Sequence, residues 1–169
     1  MDNKSNDQNS NIESDIIRTL NGIGFPSSQA AWRDALPVID PDGQTLRLLG
    51  HPVMERWEEP YMKKLAAIAT AKATVLVTGG TVLELGFGLG ISAQFIQEHS
   101  PAHHVIIEMN RAIAETARRF AHAQSGRVTI FEGTWQEIVP LLANESFQGI
   151  CSTLTECQRW TCSGLFTRF

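Results

Sequence analysis

Thr81-Val82-Leu83-Glu84-Leu85-Gly86-Phe87-Gly88-Leu89-Gly90 decides the fold. The first half is an apolar run around a single glutamate, which predicts a buried strand. The second half is a glycine loop that leads directly into Ile91 to Glu98, where the pattern predicts a helix. Glycines at a strand-to-helix junction let the backbone turn sharply and come close to a ligand. The spacing is GxGxG. Ile91 stands at the third glycine of the dinucleotide fingerprint GxGxxG, which counts against a nicotinamide or flavin cofactor, and the lysine and hydroxyl residue of a P-loop are missing. By itself the triplet is also what a tight turn without a ligand would show.

Downstream the alternation continues. His104-Val105-Ile106-Ile107-Glu108 predicts a second strand, Ala112 to Ala123 a helix, and Val128-Thr129-Ile130-Phe131 a third strand. Trp135 to Leu142 predicts a short helix, and Phe147-Gln148-Gly149-Ile150 begins a fourth strand. Strand–helix alternation at this pitch predicts an α/β fold of Rossmann-like type, with about four parallel strands and helices on both faces.

Upstream, Ser27 or Ser28 can cap a short helix through Trp32 to Leu36 that Pro37 ends, and Ile16 to Leu20 predicts another. Val38 to Gly43 reads as an extended piece and a turn. Leu46 to Leu49 is expected to pack on the main body. From Val53 the residues Met54, Trp57, Tyr61, Leu65 and Ile68 recur at spacings of three and four, which predicts one apolar helix face. Pro60 calls for a kink or a fresh start there, so the better helix is Glu59 to Ala73.

Glu108 ends its strand eighteen residues after Gly90. A carboxylate in that place can accept both ribose hydroxyls of an adenosine, although a surface glutamate would look the same. Together the glycine loop and Glu108 suit the adenosyl half of S-adenosylmethionine. Its methionine half would sit over the loop, with its ammonium near a carboxylate such as Glu84. Trp135, four residues after the third strand, can stack on adenine or fill the core.

The stretch Leu46-Arg47-Leu48-Leu49-Gly50-His51-Pro52-Val53-Met54-Glu55-Arg56-Trp57-Glu58-Glu59-Pro60-Tyr61-Met62 resembles the segment before the first strand of guanidinoacetate N-methyltransferases. Val82 to Gly88, Ile106-Ile107-Glu108 and Gly133-Thr134-Trp135 resemble that family too, so the likeness runs from about Trp32 to Ile150. A fungal arginine methyltransferase family shares a weaker version of the first block. The resemblance implies an S-adenosyl-L-methionine-dependent N-methyltransferase acting on a small guanidino-containing substrate, most like guanidinoacetate to creatine, or else an arginine-type compound. It implies that Trp32, Met54 and Met62 line the cofactor pocket. Glu84, the loop residues Gly86, Phe87, Gly88, Leu89 and Gly90, then Glu108, Gly133, Thr134 and Trp135 complete it. It also implies that Glu58 is one of two catalytic carboxylates that hold the guanidinium. Without the resemblance, core packing accounts for Trp32, Met54 and Met62, and a helix-terminus charge accounts for Glu58.

After Ile150 the resemblance stops. The family continues with Leu-Tyr/Phe-Asp-Thr-Tyr, whose aspartate is the second guanidinium-binding carboxylate. Here Cys151-Ser152-Thr153-Leu154-Thr155-Glu156-Cys157-Gln158 follows, and the three cysteines, Cys151, Cys157 and Cys162, all fall beyond this point. Their spacing matches no common zinc or redox pattern, so no metal is expected. That stretch can be encoded as TGT TCG ACA CTT ACG GAG TGC CAG, one choice among its synonymous codons. With one base restored ahead of them they regroup to Leu-Phe-Asp-Thr-Tyr-Gly-Val-Pro. Residues 151–169 are therefore expected to be an out-of-frame tail on a truncated chain, inactive or impaired on its own.

Four sections are expected: a disordered polar lead-in over 1–15, a helical segment over 16–80 that covers the site, the first half of the α/β domain over 81–150, and the tail. The 169 residues carry a formal net charge of −4 with no basic patch, which argues against nucleic acid. No stretch approaches the roughly 20 apolar residues of a membrane span, and the start lacks the apolar run of a signal peptide, so the cytoplasm is the expected location. Two readings from other classes stand beside the enzyme. One is a non-catalytic fragment that binds adenosyl ligands, and the other is a nicotinamide-binding module. Oligomeric state is not legible.

Overall fold

A computed structural model describes residues 29–71, 80–143 and 146–153. The expected lead-in, the helix at 16–20 and most of the tail lie outside the described residues. The chain order is α1 (Gln29–Asp34), β1 (Val38–Ile39), β2 (Thr45–Leu48), β3 (His51–Glu55), a 3₁₀ turn (Arg56–Glu58) and α2 (Glu59–Thr70). It continues with β4 (Thr81–Leu85), α3 (Ile91–Glu98), β5 (His103–Glu108) and α4 (Arg111–Ala123). Last come β6 (Arg127–Glu132), α5 (Trp135–Ile138) with a 3₁₀ turn at Val139–Leu141, and β7 (Gly149–Ser152).

β4 to β7 form a parallel sheet in the order β6-β5-β4-β7. The glycine-loop strand is therefore central, and all its neighbours run the same way. Successive side chains point to opposite faces, and the core divides accordingly. Val82, Ile96 and Cys151 pack with Ala66 and Ala69 on one face, where Ile106 also meets Ile113 and Ala117 of α4. Leu83, Leu85, Val105 and Ile107 pack on the other, against Trp135, Ile138 and Leu142. Pro140 limits the last helix to one turn followed by the 3₁₀ turn.

β1 to β3 form a separate antiparallel sheet. His51–Glu55 is a strand, where the periodicity had predicted helix from Val53. Its hairpin with β2 turns on Leu49 and Gly50, both with left-handed φ (52° and 82°). The helix starts afresh at Glu59 with Pro60 in its first turn.

The apolar face predicted from Met54 onward is buried only in part: Met54 and Leu65 pack on the core, and the rest of the set faces out. Trp57 and Ile68 are 73% exposed and Tyr61 is 50% exposed, while Met62, Ala66, Ala69 and Thr70 are buried. Close approach explains the choice. A methyl group at Gly149 would lie 1.6 Å from the Ala69 carbonyl oxygen, so the helix backbone rests on β7 itself. Only the small-residue face of α2 can come that near. Gly149→Ala is expected to push α2 off the sheet and lower stability by about 3 kcal/mol or more, the upper end of overpacking costs. Urea unfolding checks it.

Candidate functional site

The glycine loop crosses the carboxyl ends of β4 and β5, where ligands sit in open α/β sheets. Gly86, Gly88 and Gly90 all have left-handed φ (85°, 54° and 74°). At two of them space is short as well. A Cβ on Gly88 would come within 2.6 Å of Met54 Cε, and one on Gly90 within 2.7 Å of the Phe87 ring. Leu89 N–H donates to Met54 Sδ at 3.1 Å, so β3 is stitched to the loop.

Glu108 is buried at the end of β5 and accepts two backbone N–H groups, Phe87 to Oε2 and Asn110 to Oε1, each at 2.8 Å. Burial pushes its carboxyl above the ordinary range, opposed by the N–H groups of Phe87, Asn110, Gly88 and Met109. The Glu108 carbonyl accepts Gly133 N–H at 3.0 Å, which places Gly133-Thr134 beside it. Thr134 caps α5 in a reciprocal capping box with Glu137.

Asn110, which the sequence reading passed over, ties the site together. Its side-chain oxygen caps α4 through Ile113 N–H, and its Nδ2 donates to the carbonyls of Trp32 and Ala35, both at 2.8 Å. It thereby holds α1 across the end of the sheet. Arg33–Glu137 (2.9 Å) and Arg111–Asp34 (3.2 Å) fasten α1 further at the surface. The Trp32 ring lies 5.9 Å from that of His51. An asparagine directly before a helical pattern signals a cap, but its hold on a segment some eighty residues earlier has no local signal.

Trp32, Met54, Met62, Phe87 and Leu89 belong to one apolar cluster, with Trp32 and Leu89 on its margin. Glu58, half-buried in the 3₁₀ turn, accepts Glu55 N–H through Oε1 at 2.9 Å. Two expected residues fall elsewhere. Glu84, expected near a ligand's ammonium, is wholly buried beneath the loop, where it takes the Ser92 hydroxyl and faces His104. Period-two alternation directs it at α3 rather than at the loop's outer side. Trp135 packs on the opposite face of the sheet with Leu83 and Ile107, because it opens a helix that lies there. Its Nε1 is buried without a hydrogen-bond partner among the described residues.

Comparison with known proteins gives the following likenesses. Residues 24–160 match the sequence profile described as guanidinoacetate N-methyltransferase. A protein arginine N-methyltransferase 2 of Emericella nidulans is 44% identical over 94 residues, covering 55% of this chain and 21% of that protein. That of Aspergillus fumigatus is 41% identical over 101 residues, covering 58% and 22%. That of Yarrowia lipolytica is 29% identical over 126 residues, covering 74% and 26%. The matched stretch thus spans about a fifth to a quarter of these relatives. Among solved structures, spermidine synthase from Thermotoga maritima superposes with TM-score 0.54 at 22% identity, covering 74% of this chain and 45% of that one. A spermidine synthase bound to the transition-state analogue AdoDATO gives 0.54 and 22%, covering 71% and 42%. These two establish the likeness of fold. Among the described residues, no helix is long and apolar enough to cross a membrane.

Asn110→Ala removes a cap and leaves two carbonyls without their donor. It is expected to cost about 2 kcal/mol or more and to release α1, read as faster proteolysis near residues 29–36. Glu108 sets a pH dependence of known sign. Its folded-state pKa lies above the ordinary 4.5, so the folded chain takes up this proton first. The group's contribution to stability therefore rises as pH falls through the folded value, and levels off below the unfolded one. Urea unfolding from neutral pH down to about 4.5 should show wild type gaining on Glu108→Gln.

Proposed function

The chain belongs to the guanidinoacetate N-methyltransferase family, and on that premise we propose that it binds S-adenosyl-L-methionine and serves N-methyl transfer to a guanidino group. The observation that carries this reading is the buried Glu108 carboxylate, fixed by two backbone N–H groups against a loop of three left-handed glycines. The residues fit the cofactor. Glu108 offers acceptors for the paired ribose hydroxyls, and Gly86, Gly88 and Gly90 hold the loop backbone on a left-handed course at the end of the central strand. Trp32, Met54, Met62, Phe87 and Leu89 supply an apolar lining, with Gly133 and Thr134 beside Glu108. Trp135 acts from the far side of the sheet as packing, and Glu84 from beneath the loop.

Bound there, the cofactor supplies an electrophilic methyl group on a sulfonium. Glu58 would hold the acceptor's guanidinium and take the proton released as the new bond forms, because a protonated guanidinium has no lone pair to offer. Orientation supplies much of the remaining effect. Counted from Ile150, the aspartate of the family motif falls at Thr153. Thr153 instead donates its hydroxyl to the Leu85 and Gly86 carbonyls at 3.2 and 2.8 Å. We therefore expect cofactor binding with little or no turnover from this chain. An out-of-frame tail over residues 151–169 would explain this departure, against a family match that continues to residue 160, and sequencing the gene tests it. Guanidinoacetate is the acceptor that the family description favours. An arginine-type acceptor is favoured by the relatives named protein arginine N-methyltransferase 2.

Calorimetric titration with S-adenosylhomocysteine tests the cofactor reading. Wild type should bind, and Glu108→Ala should bind at least about tenfold more weakly, the loss of one charge-assisted hydrogen bond. Wild-type affinity should fall in acid, beginning at a pH above 4.5, as Glu108 takes up its proton. A folded wild-type chain that fails to bind, or a Glu108→Ala variant that binds equally well, overturns it.

A further inference from the structure

Between the sheet and α3, beneath the glycine loop, lies a buried polar chain that the binding reading leaves unused. Glu84 and His104 are both wholly buried, on adjacent central strands and on the same face. The Ser92 hydroxyl, in the first turn of α3, donates to Glu84 Oε1. On the other side His104 Nε2 lies 3.0 Å from Glu84 Oε2, a close polar contact between two buried atoms that have no other hydrogen-bond partner among the described residues. Gln97 Nε2, one and a half turns along α3, meets His104 Nδ1 at 3.0 Å. An amide N–H donated there leaves Nδ1 as acceptor, so a neutral ring carries its hydrogen on Nε2, facing Glu84. Cys151 of β7 is paired in register with Glu84 and completes the surroundings; burial first, and then Glu84, push its thiol up.

Buried polar groups are costly unless paired, and this chain occupies a face that is otherwise apolar. Its placement indicates its use. Glu84 immediately precedes the loop's strand end, and Ser92 immediately follows the loop's entry into α3, so their bond closes the base of the segment Leu85 to Ile91. Gln97 and His104 brace the same helix from further along.

We propose that His104 is a positioning residue for the cofactor site: held by Gln97, it steadies Glu84, whose bond to Ser92 fixes α3 against β4 and so sets the shape of the glycine loop. This rests on the cofactor reading above. It makes loop geometry, and not only fold stability, depend on a residue that never meets the ligand.

The test is titration of the full chain with S-adenosylhomocysteine, alongside amide exchange of Leu89 to Ser92 measured against Val128 to Phe131 of β6. His104→Leu and Ser92→Ala should each weaken binding about tenfold per folded molecule and speed exchange in the loop but not in β6. Their combination should be no weaker than the worse single variant, because both cut one chain. His104→Gln, which keeps a donor near the Nε2 position, should recover most of the affinity. Unchanged binding in His104→Leu, no recovery in His104→Gln, or effects that simply multiply would overturn the inference. A uniform loss of protection in loop and β6 alike would also overturn it, leaving His104 a purely structural residue. If His104→Leu does not fold, Ser92→Ala and His104→Gln decide. If wild type itself does not bind, the cofactor reading fails, and the exchange comparison alone decides the brace.

Discussion

A single carboxylate, Glu108, joins the parts on which this site depends. It takes one N–H from the glycine loop and one from the start of α4, while its own carbonyl receives Gly133 N–H from the end of β6. Three loops at the carboxyl edge of the sheet are thus pinned to one residue. Burying a carboxylate is unfavourable, and only fixed donors offset it. Here the donors are backbone groups that cannot rotate away. The raised carboxyl pKa shows that the offset is incomplete. That residual cost agrees with the binding role proposed for Glu108.

The second constraint is steric. Where this structure needs elements close together, it removes side chains. Gly149 lets β7 touch the backbone of α2, Ala66 and Ala69 give that helix a thin face, and Gly88 leaves room for Met54. Met54 uses that room to bring its sulfur to Leu89 N–H, which draws β3 over the loop. α1, in turn, is held by Asn110 on the far side. The segment ahead of β4 therefore wraps the site through a thioether and an amide, with ion pairs only at its rim.

This logic separates what the sequence makes legible from what it does not. The strands and helices from Thr81 onward follow local pattern closely: Ile91–Glu98 has the same bounds in both, and β4 to β6 agree within one residue at each end. Parallel strands buried on both faces leave little ambiguity. The α2 face was misread because periodicity ranks residues by hydrophobicity, whereas the packing selected for small size. Trp57 and Ile68 were outbid by two alanines facing a glycine eighty residues away. Glu84 was assigned by its nearness to the loop and Trp135 by its place after the third strand, but strand alternation and helix placement send them to other surfaces. Asn110 was legible as a cap and illegible as a tether.

Fold and chemistry part company at β7. The resemblance read from the sequence stops at Ile150, yet the family match runs on to residue 160, and Cys151 and Ser152 pair in register with Glu84 and Leu85 while Thr153 N–H reaches the Leu85 carbonyl. Backbone pairing does not discriminate among side chains, so the strand continues through residues that lack the expected motif. Cys151 is small and apolar enough to fill the space beside Ala66 and Val82. The acceptor site proposed above has no such tolerance. On that reading it needs a second carboxylate at one position, and a threonine whose hydroxyl is spent on the loop's own carbonyls cannot replace it. Among the described residues, the hydrogen bonds that join the loop, Glu108 and α1 to one another come from residues before Ile150, while Thr153 adds bonds to the carbonyls of Leu85 and Gly86. The proposed cofactor site can therefore keep its shape when the second carboxylate of the proposed acceptor site is missing.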